Sequence, residues 1–253
     1  MEYIHNTEQF QFHNTVVALG KFDGMHKGHQ LIFDELIQYK QLGYQAAVFS
    51  FDRPPLNMLK HKHMRVIYTT NEKIKLLARR GIDIYIEHPF TDEFSHLSPE
   101  DFVIKVLLEK TGMKVLVVGD DCGFGYKRQG NVELLERMSK EYDFKLIVIP
   151  KLELEGEIVS STRIRHLLSE GKVEEANRLM EDPFMICGSV VHGNHMGAEV
   201  LQMPTANQIP LEDKLLPPNG VYVSRIHYKD ETYYGISTVS YTHLRAHETL
   251  RHL

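Results

Sequence analysis

The chain has 253 residues, of which 42% are apolar and 25% charged, as is typical of a globular protein with one large or two modest domains. Its formal net charge of −5 provides no basic excess for a nucleic-acid backbone, so we expect small phosphate ligands and no nucleic-acid partner. No apolar run approaches the roughly 20 residues of a membrane helix, and the sparse cysteines and the unpatterned N-terminus predict a cytoplasmic protein without membrane partners.

The first informative element is an apolar strand that leads through a glycine-rich turn into a helix. The strand covers Thr15–Leu19, the turn covers residues 20–28, and the helical pattern follows from residue 29 to 40. Such a turn gathers backbone N–H groups and the positive end of a helix dipole, which together form an anion site, and we expect a phosphate there. His26 and His29 are three residues apart in the first helical turn, so both can donate to phosphate oxygens. A pair of surface histidines is the alternative, but the strand and the glycines favour the phosphate site.

The turn has neither the Gly-Lys-Ser/Thr ending of a P-loop nor the Gly-x-Gly-x-x-Gly spacing of a dinucleotide fold. It resembles instead the His-x-Gly-His signature of the nucleotidyltransferase superfamily. Residues 18–24, Ala-Leu-Gly-Lys-Phe-Asp-Gly, resemble the form of this signature in bacterial bifunctional riboflavin kinase/FMN adenylyltransferases. By this resemblance we expect His26 and His29 to be catalytic. It also implies that ATP or FMN contacts Gly20, Phe22, Asp23, Gly24 and Gly28.

The following segments alternate between strand and helix patterns. Buried runs predict strands at residues 44–51, 82–86, 114–118 and 144–149. Capped or amphipathic segments predict helices at residues 72–80, with Asn71 as the N-cap, and at 98–110 and 132–142. The run 114–118 is apolar and unbroken, as expected of a central parallel strand. This alternation predicts a doubly wound, Rossmann-like α/β domain.

The loop at residues 119–131 follows the predicted central strand. Loops at the carboxyl ends of parallel strands form the ligand crevice, so we expect this loop to face the same space as the first turn. A mobile glycine loop is the alternative. The loop resembles the family element Gly-x-Asp-x-x-Phe-Gly-x-x-Arg-x-Gly, although Gly123 stands where a larger, often basic, residue is usual. The resemblance implies nucleotide or flavin contacts from Asp121, Phe124, Gly125 and Arg128.

Residues 160–165, Ser-Ser-Thr-Arg-Ile-Arg, introduce a helix that should end near Gly171. Hydroxyls and free N–H groups at a helix start, with an arginine one turn further, suit a polyphosphate. A plain Ser/Thr cap would explain the segment taken alone. The segment also resembles the Ser-Ser-Thr-x-Ile-Arg motif of the same family. This implies that Ser161 and Thr162 bind ATP or FMN and that Arg165 is catalytic.

The alternation of helices and strands stops near residue 182. Short runs at residues 185–191, 220–227 and 232–239 predict an antiparallel barrel or meander. Residues 188–193, 204–207 and 216–222 resemble the opening half of the riboflavin kinase domain. The resemblance implies nucleotide contacts from Gly188, His192, Gly193, Thr205 and Asn207, with Thr205 and Asn207 holding Mg²⁺ and ATP.

We therefore expect two domains. Residues 1–182 are predicted to form the FMN adenylyltransferase (FAD synthetase) domain. Residues 183–253 are predicted to form an incomplete riboflavin kinase β-barrel with an atypical tail from about residue 241. The resemblance fades at Ser240, before the strand that would carry the kinase's catalytic carboxylate. The sequence thus predicts formation of FAD and places phosphorylation of riboflavin in doubt.

The predicted reaction is the transfer of AMP from ATP to FMN, which gives FAD and pyrophosphate with Mg²⁺ bridging the phosphates. No covalent nucleophile is needed, because the FMN phosphate is already an anion, so catalysis consists of positioning and charge stabilisation. Two alternatives remain open at this point. One is adenylyl transfer to another acceptor, such as a nicotinamide or pantetheine phosphate. The other is a flavin- or nucleotide-binding protein without turnover.

Overall fold

A computed structural model describes residues 1–52, 65–191 and 206–240. Six strands form one parallel sheet in the order β1-β4-β3-β2-β5-β6. They are β1 (Glu2–His5), β2 (Thr15–Leu19), β3 (Gln45–Phe51), β4 (Ile84–His88), β5 (Met113–Gly119) and β6 (Lys145–Ile149). The winding reverses between β2 and β5, which confirms the predicted α/β architecture with a parallel sheet.

Helices cover both faces of this sheet. They are α1 (Lys27–Gln41), α2 (Thr70–Arg79), α3 (Asp92–Ser95), α4 (Pro99–Asp101, continued by a π-helical segment Phe102–Leu108), α5 (Val132–Glu141), α6 (Ser161–Ser169) and α7 (Val173–Leu179). A 3₁₀ turn (Tyr126–Arg128) and a short hairpin, β7 (Glu153–Leu154) with β8 (Glu157–Ile158), complete this part. Among the helices of the described ranges, none is both long and apolar enough to cross a membrane.

The core lies in two layers because neighbouring residues of a strand point to opposite faces. In β2, Val16 and Ala18 join the layer packed under α1 and α6, whereas Val17 and Leu19 join the layer under α4 and α5. All five residues of β2 are buried. This double coverage explains why the central strands have continuous apolar runs instead of alternating ones.

The start of α2 and the bounds of β4 differ from the sequence prediction. The N-cap of α2 is Thr69 and not Asn71, because Thr69 and Glu72 form a reciprocal capping box. The Thr69 N–H donates to Glu72 Oε2 at 2.8 Å, and the Glu72 N–H donates to Thr69 Oγ1 at 3.4 Å. The next strand covers Ile84–His88, two residues later than predicted, and it pairs with the edge strand β1, which the sequence pattern did not indicate.

Two antiparallel pairs follow residue 182. Strand β9 (Val190–Val191) pairs with β10 (Asn207–Gln208), and β11 (Gly220–Tyr228) pairs with β12 (Glu231–Val239). The long hairpin lies where strands were predicted. In the part of the chain that the structure describes, these pairs remain separate sheets, so the barrel stays a prediction. The tail from residue 241 lies outside the described residues.

Candidate active site

The candidate site lies where the winding of the sheet reverses, at the carboxyl ends of β2 and β5. The loop of residues 20–26 follows β2, and the loop of residues 120–131 follows β5. The two loops interact electrostatically: burial lowers the pKa of His26 in the first loop and the charge of Asp121 in the second opposes that shift, while burial and the charge of Arg128 in the second loop lower the pKa of Lys21 in the first. The two loops therefore face one crevice, as the position of the motifs predicted.

Two helices begin at this crevice. The Ser161 hydroxyl, in the first turn of α6, donates to the carbonyl of Asp23, in the loop that leads into α1. In α1 and α6, both described in full, the first turn carries no acidic residue. Since nothing acidic in these turns offsets the two helix dipoles, the starts of α1 and α6 together create a positive potential suited to phosphate.

His26 and His29 stack on each other at the start of α1. Their ring centroids are 3.6 Å apart with an interplanar angle of 19°. His26 is the N-cap residue, and its Nδ1 accepts a hydrogen bond from the His29 N–H at 3.3 Å. Because Nδ1 accepts, the proton of the neutral His26 ring is on Nε2, which is therefore a donor. Gly28 leaves room for the His26 ring, since a Cβ at its position would lie 3.1 Å from His26 Nδ1.

Burial keeps both histidines neutral at pH 7. It lowers the pKa of His26 to about 4, although the charge of Asp121 opposes this shift. Burial also lowers the pKa of His29 well below its usual range, and the charge of His26 adds to that effect. The His29 Nδ1 atom is buried and has no hydrogen-bond partner among the described residues. The site therefore presents neutral imidazoles, one of which has an unpaired nitrogen.

This burial predicts a pH-dependent stability. In the unfolded chain His26 titrates near pH 6.5 and in the folded chain at about 4, so the unfolded state binds the proton first as the pH falls. We expect the free energy of unfolding to decrease between pH 6.5 and 4, by up to about 3 kcal/mol from this group. Denaturant unfolding at several pH values should show a shallower decrease for His26→Asn, because asparagine caps helices and does not titrate. Equal slopes for the two proteins would contradict the prediction.

The backbone of the first loop adopts left-handed conformations at three nearby positions. The φ angles are 48° at Phe22, 84° at Gly24 and 36° at Met25. Phe22 was predicted to contact ATP or FMN, and that contact stays a prediction. Its ring is only 2% exposed and packs against Phe33 and against the edge of His29. Phe22 therefore holds His29 in position from the core side.

Asp23 connects this loop to two other segments. Its Oδ1 accepts hydrogen bonds from the N–H groups of Ile67, at 2.9 Å, and Tyr68, at 3.1 Å. Its Oδ2 pairs with the Arg165 guanidinium, and its carbonyl accepts from Ser161. The structure thus assigns Asp23, predicted as a ligand contact, several contacts within the protein. These contacts explain how the left-handed loop is maintained.

The predicted residues of α6 differ in their surroundings. Arg165 bonds to Asp23, and its Nε also donates to the Arg65 carbonyl at 3.4 Å. Ser161 is partly buried, whereas Thr162 is exposed in the first turn. Of Ser161, Thr162 and Arg165, which were predicted to meet phosphate, Thr162 is therefore the most exposed.

The second loop is fixed against the start of α4. The Tyr126 N–H donates to the Leu97 carbonyl at 2.8 Å, and a Cβ at Gly125, where φ is 68°, would lie 2.7 Å from the Pro99 backbone. Phe124, whose predicted ligand contact stays a prediction, is buried in the core and forms a bridge with Gly130. Phe124 and Gly125 therefore determine the shape of the loop.

Cationic side chains cluster between the two loops. The Arg128 guanidinium lies over Gly123, since a Cβ at Gly123 would lie 2.8 Å from Arg128 Nε. Arg128 thus occupies the space where the family usually has a larger residue. Burial and the charges of Arg128 and Arg165 lower the pKa of Lys21. Lys21 was not predicted as a site residue, although it stands inside the first motif between Gly20 and Phe22.

Asp121 lies at the exposed side of the crevice. Its Oδ2 is 3.3 Å from Lys151 Nζ, and its carboxylate is close enough to His26 to affect the pKa of that ring. The neighbouring Asp120 accepts a hydrogen bond from the Lys151 N–H at 3.2 Å. Asp121 is thus exposed beside His26, and its contact with a nucleotide stays a prediction.

The residues predicted for the kinase site are only partly described. Gln208 Nε2 donates to the Gly188 carbonyl at 3.1 Å, and Asn207 lies opposite Val191 in the β9–β10 pair with an exposed side chain. His192, Gly193 and Thr205 lie outside the described residues. The proposed magnesium ligands Thr205 and Asn207 therefore stay a prediction.

A parallel α/β sheet with a two-histidine helix start at its switch point defines an α/β nucleotidyltransferase. The family model for FAD synthetase matches residues 8–163, and the family model for riboflavin kinase matches residues 180–251. The chain belongs to the family of bifunctional riboflavin kinase/FMN adenylyltransferases.

Proteins that carry this name are similar over most of the chain. The protein of Buchnera aphidicola subsp. Schizaphis graminum is 38% identical over 88% of this chain and 72% of its own length. The Listeria monocytogenes protein is 35% identical over 94% of this chain and 77% of its own length. The protein of Escherichia coli K12 is 32% identical over 88% of this chain and 71% of its own length. These similarities cover both predicted domains.

A crystal structure described as a macrolide-efflux protein from Streptococcus pneumoniae has a similar fold. It superposes with a TM-score of 0.82 at 29% identity and covers 95% of this chain and 80% of the other. The structural similarity between the two proteins therefore extends beyond the parallel sheet to most of this chain.

The comparisons correct one expectation. Resemblance to the riboflavin kinase domain was expected to fade at Ser240, but the family match continues to residue 251. The doubt about riboflavin phosphorylation that rested on this expectation is not supported.

Proposed function

We propose that this chain transfers AMP from ATP to FMN and produces FAD and pyrophosphate. The observation that carries the proposal is the meeting of α1 and α6 at Asp23, which brings neutral His26 and His29 and a cluster of cations to one crevice. ATP and flavin are the substrates that the family implies. The names of the relatives also support FMN as the acceptor over a nicotinamide or pantetheine phosphate.

In this reaction an oxygen of the FMN phosphate attacks the α-phosphorus of ATP. The new phosphorus–oxygen bond forms as the bond to the β-phosphate oxygen breaks, and pyrophosphate leaves with the bonding electrons. The Nε2–H of His26 and a ring N–H of His29 would donate to the α-phosphate oxygens. Lys21, Arg128 and Arg165 would stabilise the charge that develops on pyrophosphate. The two helix starts would orient the phosphates.

The described residues hold few candidate ligands for Mg²⁺. Among them no group of three His, Cys, Asp or Glu side chains could hold a metal ion. Mg²⁺ commonly binds through substrate phosphates, water and one or two carboxylates, and the exposed carboxylate of Asp121 fits that arrangement. When bound, Mg²⁺ would neutralise phosphate charge.

We propose the same division into residues 1–182 and 183–253 that the sequence suggested. The limits of the two family matches support it. We further propose that residues 183–253 serve the phosphorylation of riboflavin to FMN, which the riboflavin kinase match supports.

A direct assay tests these proposals. The purified chain is incubated with ATP, Mg²⁺ and FMN, and FAD is measured by chromatography. A second reaction with riboflavin in place of FMN measures kinase activity. Nicotinamide mononucleotide and phosphopantetheine serve as competing acceptors. Flavin binding without FAD formation would support a binding protein and reject the adenylyltransferase.

Arg165→Lys is expected to reduce kcat/KM for FAD formation about tenfold, or about 1.4 kcal/mol. Lysine keeps the charge but lacks the planar fork with which Arg165 contacts both Asp23 and the Arg65 carbonyl. Arg163→Lys is the matched control, because Arg163 in the same helix pairs with Glu157 at 2.9 Å. Equal activity of the two variants would show that the geometry of the Arg165 guanidinium is unimportant.

A further inference from the structure

We propose that Lys214 is a positioning residue for adenylyl transfer, although it lies in the part of the chain that matches riboflavin kinase. The inference rests on the proposed adenylyltransferase function. Among the described residues, a continuous set of contacts connects Lys214 with Arg165 and Ser161. The main link is the segment of residues 65–68, which we name the strap.

Lys214 is a buried cation in the interior of the α/β domain. Lys214 is 2% exposed, and its Nζ lies 2.7 Å from Glu72 Oε2 and 2.6 Å from the Ile67 carbonyl oxygen. The ammonium also lies over the rings of Phe184, at 4.5 Å, and Tyr68, at 5.2 Å. Burial lowers the pKa of Lys214, while the charge of Glu72 opposes that shift. A cation held by this many partners keeps its neighbours in one arrangement.

The backbone around Lys214 binds the strap on one side. The Val66 N–H donates to the Asp213 carbonyl at 2.7 Å, and the Leu215 N–H donates to the Val66 carbonyl at 2.8 Å. Val66 and Lys214 form an isolated parallel bridge. The Lys214 ammonium adds the bond to the Ile67 carbonyl. The strap is therefore held at two consecutive residues by the segment that contains Lys214.

The active-site loop binds the same strap on the other side. Asp23 Oδ1 accepts from the N–H groups of Ile67 and Tyr68, and the Arg165 Nε donates to the Arg65 carbonyl. The Ile67 peptide groups thus lie between the Lys214 ammonium and the Asp23 carboxylate. Asp23 also pairs with Arg165. A shift of the strap would therefore displace Asp23 and, with it, the Arg165 guanidinium.

Glu72 makes this arrangement sensitive to the charge of Lys214. Glu72 is fully buried, caps α2 through Thr69, and accepts the Cys187 N–H at 2.8 Å. Removal of the ammonium would leave a buried carboxylate without its ion pair, which is strongly destabilising. A change of Lys214 therefore affects both the stability of the fold and the position of the strap, and the test must separate these effects.

The test compares two variants of the full chain. Lys214→Met removes the ammonium and is expected to lower kcat for FAD formation at least tenfold. Glu72→Gln combined with Lys214→Met removes both charges. The glutamine oxygen can still accept from the Thr69 N–H, but its NH₂ group cannot accept from the Cys187 N–H as the carboxylate does, so thermal stability should recover in part. In this double variant kcat should remain at least fivefold below wild type, because the bond to the Ile67 carbonyl is still absent.

The KM values and a matched control complete the test. Lys229→Met is the control, since Lys229 is an exposed residue of the β11–β12 turn and should leave kcat unchanged. KM for ATP and FMN should change less than kcat in the Lys214 variants, because a displaced Arg165 affects the transition state most.

Wild-type kcat in the double variant, or recovery of kcat in parallel with stability, would overturn the inference and leave Lys214 with a purely structural role. Absence of FAD formation by the wild-type chain would instead reject the proposed function. The two failures are therefore distinguishable.

Discussion

His29→Ala is expected to slow FAD formation about 30-fold or more, which corresponds to about 2 kcal/mol or more of activation free energy. The neutral imidazole is held in place by its stack on His26, at 3.6 Å, and by Phe22. A donor fixed in this way requires no reorganisation when negative charge develops on the α-phosphate. Its loss should therefore affect turnover more than binding, so kcat should fall more than the affinity for ATP.

Steady-state kinetics and equilibrium ATP binding of the same preparation check this prediction. His13→Ala is the control, because His13 is exposed and lies before β2, outside the crevice. Alanine is a favourable helix residue, so α1 should remain intact, and the unfolding midpoint will verify this. If FAD formation by His29→Ala equals that of wild type, His29 has no part in the mechanism.

Gly125→Ala is expected to destabilise the fold by about 3 kcal/mol and to reduce FAD formation. The φ angle of Gly125 is 68° and ψ is −174°, a region that is essentially restricted to glycine. An added Cβ would also lie 2.7 Å from the Pro99 backbone, which forms the first turn of α4 and cannot move as a side chain does. The loop would separate from α4, and Arg128 would leave its position over Gly123.

Gly156→Ala separates the cost of a positive φ from the cost of the contact with Pro99. Gly156 also has a positive φ, of 78°, but a Cβ there would meet no atom within 4 Å. We expect this control to lose only about 1 kcal/mol of stability and to keep its activity. Denaturant unfolding and the FAD assay check both variants. A similar loss of stability in both would show that the contact with Pro99 is unimportant.

The strands and helices of the α/β domain were largely predictable because their signals are local. Strand β2 and the central strand β5 were predicted from apolar runs, and α1 from a glycine-rich turn followed by a periodic pattern. The edge strand β1 was not predicted, since its four residues are partly exposed and their partner, β4, is about 80 residues away. The N-cap of α2 was misassigned because Thr69, Thr70 and Asn71 are all capping residue types.

The candidate site was predictable in its composition but not in its contacts. His26, His29 and Arg165 were selected from motifs, and the structure places them around one crevice. Phe22 and Phe124 stand in the same motifs, yet their rings lie in the core, because a motif records which residue types recur and not which way each side chain points. Lys214 gave no signal, since it stands in the polar run Glu212-Asp213-Lys214 like any surface lysine.

By itself the sequence determined the family of this protein, the parallel α/β architecture and the residues proposed to bind phosphate. These properties follow from short segments, whose periodicity, glycines and caps act over one or two turns of chain. Only the tertiary structure decided that Asp23 binds the strap and Arg165, that Arg128 covers Gly123, and that Lys214 is buried against Glu72. These contacts join residues up to about 140 positions apart, and their energies depend on burial, which exists only once the sheet and its helices have packed.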